Sequence, residues 1–169
     1  MRRKIIEFLL VLACYILQCT FFKAISLGGI VPNLIVMLTA AFGFMHGQKE
    51  GMYVGMVGGL LIDIMFGNGL IGLNALIYIF VGYTNGLFSR IFFPEDIKLP
   101  VFLIMISDFL YGFAYYVLTF LLRSRLDFGF YLMKVIIPEI VYTAVVTLIL
   151  YKPVLAIETW LEEREDMEN

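Results

Sequence analysis

Between Ile5 and Ile157 the sequence is a succession of apolar runs separated by short polar links: "SLGG", "HGQKE", "FGNG", "PEDIK" and "RSRLDFG". A helix rises 1.5 Å per residue, so about 20 apolar residues cover the ~30 Å of bilayer hydrocarbon, and a run of that length is the unit of a membrane helix. The chain has 169 residues, of which 62% are hydrophobic and 15% charged, with mean hydropathy +0.93. A soluble domain of that size needs more polar residues to cover its surface. The composition therefore predicts one compact all-α membrane domain.

Six spans are predicted: Ile5 to Phe22, Ile30 to Met45, Gly51 to Phe66, Leu70 to Phe88, Leu99 to Leu122, and a last one from near Val135 or Pro138 to Tyr151–Ile157. Pro32, Pro100 and Pro138 fall at or near span starts, where a missing N–H is tolerated. The second and third spans are short, about 24 Å as helices, and form a tight hairpin in this reading. Residues 1–157 then make a single six-helix transmembrane domain, and 158–169, with "EEREDMEN", an acidic cytoplasmic tail.

The net charge of −2 conceals segregation. With the N-terminus inside, Arg2, Arg3, Lys4, Lys49, Arg90, Lys98, Lys152 and Arg164 lie on the cytoplasmic side, against Lys23, Arg123, Arg125 and Lys134 outside. This bias predicts both termini in the cytoplasm, with the "RSR" pair dissenting. A cleaved signal peptide, suggested by "MRRKIIEFLLVLA" and the "VLAC" before Cys14, is disfavoured because the run continues to Phe22 and is interrupted by Glu7. Neither end has the basic density of a nucleic-acid binder. Cys14 and Cys19 do not share a helical face, which disfavours a disulfide. The one histidine, His46, has no metal-ligand spacing around it and reads as an interfacial residue. Serines lack a histidine placed to activate them, and no phosphate loop is present. The reading is therefore of a non-enzymatic protein without cofactor or metal.

The residues that need an explanation lie in "GMYVGMVGGLLID". Gly51, Gly55 and Gly59 recur every fourth residue beside Gly58, and Gly82 and Gly86 repeat the spacing in the fourth span. Apolar residues gain little by leaving lipid for one another, so small residues that admit close backbone approach favour helix association. These glycines are expected either to pack helices within the chain or to form a groove for a partner's helix. Asp63 and Asp108 are carboxylates inside apolar spans. Such groups are costly there and mark a functional site or an internal pair. Glu139 follows Pro138, where the first turn of a helix favours a carboxylate. Asn33, Asn74 and Asn85 are available as hydrogen-bonding partners.

"PNLI", "GQKEGMYVGMVGGLLIDIMFGNGLIGLNAL" and "VGYTNGLFSR", covering Pro32 to Arg90, resemble the bacterial rod shape-determining MreD family. The most specific elements are Gly47-x-x-Glu50-Gly51, Gly59-Leu60-Leu61-x-Asp63 and Gly72-Leu73-Asn74-Ala75-Leu76. The resemblance implies a component of the cell elongation machinery in the cytoplasmic membrane. It implies association with MreC, and through it with MreB, RodA and a class B transpeptidase. It also implies a six-helix fold like that of the substrate-binding subunits of energy-coupling-factor transporters. That likeness raises an alternative function, a vitamin-like ligand held by Asp63, Asp108 and Asn74. An ion or proton channel using Asp63 and Asp108 is a third class.

Overall fold

The computed structural model describes residues 2–26, 28–66, 71–91, 97–119 and 127–168. Their regular structure is helical, with no strand among them. In chain order the α-helices are α1 (Arg2–Leu17), α2 (Leu34–His46), α3 (Gln48–Phe66), α4 (Leu73–Gly86), α5 (Lys98–Thr119), α6 (Phe128–Tyr131) and α7 (Ile137–Glu168). A π turn at Gln18–Phe22 extends α1, and another at Leu132–Ile136 joins α6 to α7 without a break.

Three stretches are long and apolar enough to cross a membrane: Arg3–Phe22, Lys98–Thr119 and Phe128–Leu161. The last corrects the expected start of the sixth span, whose apolar helical stretch begins at Phe128 rather than near Val135 or Pro138. A proline inside a helix removes one hydrogen bond and crowds the carbonyl four residues back. The widened turn immediately before Pro138 accommodates both effects, so the helix runs on. Its other end also runs further than expected. α7 continues through the 157/158 boundary to Glu168, and Glu158 and Leu161 are buried against the bundle.

The core lies around α2. Every residue from Leu34 to Phe44 is buried, as suits a helix apolar on all sides. Val36, Leu38 and Phe42 pack with Val54 of α3, Tyr78 of α4 and Val11 of α1, while Met37, Ala40 and Ala41 meet Val81, Ile104 and Tyr151. The outer helices show lipid-facing stripes instead: Phe102, Ile106, Phe109 and Phe113 on α5, and Val141, Val145, Leu148 and Ile149 on α7, are all exposed. Their i, i+4, i+7 spacing puts each set on one helix face.

α3 and α4 lie together along most of their length, and the glycines set that distance. A Cβ on Gly51 would stand 2.6 Å from the Gly43 Cα and 2.7 Å from the Gly82 carbonyl oxygen. A Cβ on Gly55 would meet the Tyr78 carbonyl, one on Gly59 the Ala75 backbone, one on Gly82 the Gly51 backbone, and one on Gly86 the Gln48 backbone. Gly58 points elsewhere, toward Ile35 of α2 and Val11 of α1. The grooves are thus filled from within the chain.

The end of the bundle where α1 begins is fastened by charge. Lys4 pairs with Glu50 at the start of α3 and with Glu7 at 3.1 Å, and it lies over the Tyr53 ring. Arg3 bonds Glu7 at 3.1 Å and approaches Glu158 of α7 at 4.0 Å, and Glu158 in turn faces His46 of α2 at 3.4 Å. Glu7 and Glu158 are buried, so their charges have to be matched locally. The sequence reading had treated Glu7 as an interruption, His46 as interfacial and Glu158 as tail.

Two outcomes are expected from thermal unfolding in mild detergent. Gly51→Ala and Gly82→Ala should each destabilise by about 1–3 kcal/mol through backbone overlap, whereas Gly129→Ala, with nothing within 4 Å, should leave the transition where it is. Glu158→Ala should lower stability by about 1–3 kcal/mol by removing a buried carboxylate that faces both His46 and Arg3; an unchanged transition would mean that residue 158 belongs to a solvated tail.

Candidate functional site

Asp63 sits near the end of α3, opposite the start of α4. Gly72 is the residue before α4, at φ +100°, and having no side chain it cannot cap the helix itself. Helix starts leave backbone N–H groups without intrahelical acceptors. Asp63 supplies those acceptors from the neighbouring helix. Its Oδ2 accepts from the Gly72 N–H (3.0 Å) and the Ala75 N–H (3.1 Å). Its Oδ1 accepts from the Asn74 N–H (3.2 Å) and the Asn74 Nδ2 (2.9 Å). Four donors and the positive end of the α4 dipole meet a carboxylate that is 2% exposed. That offsets the cost of burying it. The "GNG" segment, expected as part of this region, lies outside the described residues.

The polar path continues inward. Asn74 Oδ1 accepts from the Tyr111 hydroxyl of α5 at 2.9 Å, and Tyr111 stacks on Tyr78 of α4 with ring centroids 4.9 Å apart and planes 1° from parallel. The Tyr78 hydroxyl donates to Asn33 Oδ1 at 3.1 Å. Asn33 is the N-cap of α2, and the same oxygen accepts from the Val36 N–H at 3.1 Å. Its own N–H donates to the Thr143 hydroxyl of α7 at 3.0 Å, and its Nδ2 to Glu139 Oε1 at 3.5 Å. Side chains from α2, α3, α4, α5 and α7 are joined in one chain of contacts.

Asp108 on α5 closes the group. It is 2% exposed, yet neither carboxylate oxygen has a hydrogen-bond partner. It faces Thr143 and interacts electrostatically with Glu139, which is half-buried. Glu139 does lie in the first turn of α7, but α7 emerges directly from the preceding π turn, so it is no free helix end. A separate link joins α4 to α5, where Asn85 Nδ2 donates to Ser107 Oγ at 2.6 Å and to the Val81 carbonyl at 2.9 Å.

The structure thus brings Asp63 to Asn74 and connects that pair to Glu139 through Tyr111, Tyr78 and Asn33, while Asp108 is buried without a hydrogen-bond partner. Gly55 and Gly59 lie on the same face of α3 as Asp63, against Tyr78, Asn74 and Ala75 of α4, and Gly58 on another. Sequence reasoning had Asn33 among available hydrogen-bonding partners and did not single out Tyr78 or Thr143. Signals for them existed. Pro32-Asn33 before an apolar run is an N-cap pattern, Tyr78 is four residues from Asn74, and Tyr111 is three from Asp108. Among the described residues no group of three or more His, Cys, Asp or Glu is placed to hold a metal ion. Cys14 and Cys19 are free. What the arrangement does chemically is fix helix register, with Asp63 saturated by four donors.

Asp63→Ala should leave the Gly72, Asn74 and Ala75 N–H groups without acceptors and destabilise the bundle by about 1–3 kcal/mol. Asp63→Asn, which keeps an acceptor oxygen but loses the charge, should fall between this variant and wild type in the same detergent unfolding assay. Equal stability of all three would remove Asp63 from any structural role.

No curated protein and no solved structure matches the chain. The model of the rod shape-determining protein MreD family does, over residues 2–157, which takes in the whole polar path and the carboxylates Asp63, Asp108 and Glu139. With a match across nearly the full length, on a helical chain with membrane-crossing segments, this protein belongs to the MreD family and so to the proteins of rod-shape determination.

Proposed function

We propose that the chain is a non-enzymatic scaffold of the cell elongation machinery, which binds MreC and helps to organise lateral peptidoglycan synthesis. Through MreC it works with MreB, RodA and a class B transpeptidase. The observation that carries this reading is the family match over residues 2–157. The fold is consistent with it: polar groups turn inward and bond one another, while the exposed faces of α5 and α7 are apolar and suited to lipid or to other membrane helices. In this reading the chain crosses the bacterial cytoplasmic membrane six times, α2, α3 and α4 being shorter crossings enclosed by the longer helices.

The contact between Arg3 in α1 and Glu158 in α7 supports both termini lying on one side. Lys49 and Arg90 line a cavity with His46 and Glu50 at the same end, so the excess of positive charge supports a cytoplasmic assignment. The glycines act in this proposal as internal spacers, because the backbones of α2, α3 and α4 already occupy the space beside them. A ligand site formed by Asp63 and Asn74, as in a vitamin-binding transport subunit with the same six-helix plan, is less favoured. Asp63 and the Asn74 side chain are already bonded to their own chain.

The test is partner recovery. The full chain, tagged at native level and extracted in mild detergent, should co-purify with MreC and with RodA or the transpeptidase. Gly82→Ala should lower that yield along with stability. Recovery of a coupling subunit with paired ATPases instead would make the chain a transport subunit.

A further inference from the structure

At the end of the bundle where α1 begins, the start of α3 and the end of α4 border a cavity of about 600 Å³. Lys49 and Arg90 bring two positive charges to it, and both are exposed. Among the described residues neither has an ion-pair partner, whereas Glu50, the acid on the same wall, is already paired with Lys4. The first turn of α3, Gln48 to Glu50, also lies on the cavity and adds the positive end of its dipole. α4 ends on the same cavity, but its last carbonyls are occupied. Thr84 accepts from the Leu87 N–H at 3.2 Å, Asn85 from the Phe88 N–H at 3.0 Å, and Gly86 from the Ser89 hydroxyl at 2.9 Å. The cavity therefore presents positive charge that the chain itself does not match.

An apolar groove of about 450 Å³ begins one helix turn away, bordered by Met52 of α3, Leu76, Phe80 and Tyr83 of α4, and Ala114 and Leu118 of α5. Tyr83 is four residues from Leu87 on the cavity wall, and Met52 is three from Lys49, so both helices carry the groove up to the cavity. Leu76, Phe80, Tyr83 and Leu87 are all exposed and follow one face of α4 for about 16 Å. A basic cavity opening onto an apolar groove fits a molecule with an anionic head and a hydrocarbon tail. We infer that this is a binding site for an anionic phospholipid, with its phosphate between Lys49, Arg90 and the start of α3 and one acyl chain along α4 against α5. A guanidinium gives phosphate paired donors and an ammonium gives it a point charge. Basic pockets between membrane helices are where such headgroups are held. The inference requires only that the chain lie in a bilayer, and does not depend on the scaffold function or on any partner protein.

The full chain purified in mild detergent tests it, with dioleoyl phosphatidylglycerol against dioleoyl phosphatidylcholine, which share their tails and differ in net charge. Native mass spectrometry should show phosphatidylglycerol retained about tenfold in preference. Anything that binds the folded state in preference to the unfolded one raises the transition by mass action, so wild type should also melt several degrees higher in phosphatidylglycerol. Lys49→Gln combined with Arg90→Gln should lose both effects yet melt like wild type in phosphatidylcholine, because neither side chain is ion-paired within the described chain. Lys152→Gln combined with Arg164→Gln, the same loss of charge at exposed positions of α7, should keep both effects. A phosphatidylglycerol carrying a photoactivatable diazirine in its acyl chain should mark Leu76, Phe80 or Leu118, as located by mass spectrometry. Inorganic phosphate at matched concentration should not raise the transition; a rise equal to that given by the lipid would make the cavity a simple anion pocket and overturn the lipid assignment. Equal retention of the two lipids would overturn it too, as would a preference that survives in the Lys49 and Arg90 variant, one lost equally in the α7 variant, or marking away from the groove.

Discussion

The bundle depends on a carboxylate that one helix lends to the start of another. Asp63 of α3 accepts from three backbone N–H groups at the beginning of α4 and from the Asn74 side chain. In an apolar medium those N–H groups have no water to fall back on, so the contact sets where α4 starts as well as how it lies against α3. It also orients Asn74, and through Asn74 it positions Tyr111 and α5. The stacked tyrosines carry the same constraint to Asn33, which caps α2 and reaches α7. Each polar group on this path takes its orientation from the one before it.

The glycines and the polar path solve complementary problems. Hydrogen bonds of about 3 Å between side chains as short as Asp and Asn need helix backbones that come close. The contacts of Gly51, Gly55 and Gly59 with the backbone of α4 provide that approach. At the opposite end the means are different: long side chains, Arg3, Lys4, Glu7 and Glu158, span the spaces between helices with formal charges. Short neutral or dipole-paired groups serve one end and ion pairs the other. At the charged end the partly exposed Arg3 and Lys4 match the buried Glu7 and Glu158, whereas the interior path is built from groups without a countercharge, where ionic charge costs a great deal.

Much of this was legible in the sequence, and the exceptions have physical reasons. The apolar runs predicted helices because a membrane admits little else, and each run does contain one. Asp63 and Asn74 were conspicuous as polar residues in apolar company, and their pairing follows from the close packing of α3 on α4. The central position of α2 was not legible. In a membrane protein a leucine facing lipid and a leucine facing the core look the same, since the hydrocarbon is as apolar as the interior. Only the small residues Thr39, Ala40, Ala41 and Gly43 hinted that α2 is packed on every side. Glu158 was misread for a different reason: it falls within a run of charged residues, and only the three-dimensional path of α7 brings it to Arg3 and His46. The start at Phe128 was missed because Pro138 looked like a beginning, whereas the π turn before it lets the helix pass through.

The burial of α2 also bears on the order in which the protein is made. The ribosome delivers α2 early, before α4, α5 and α7, which will enclose it. At 13 residues it is only about 20 Å long, too short to span hydrocarbon unaided. Its neighbours have to arrive before it has a stable place. Membrane insertion of this chain is therefore not a series of independent helices. The surroundings of α2 are complete only once α5 and α7 are in place. A chain lacking α5 and α7 would leave that central helix open on the sides those two helices cover.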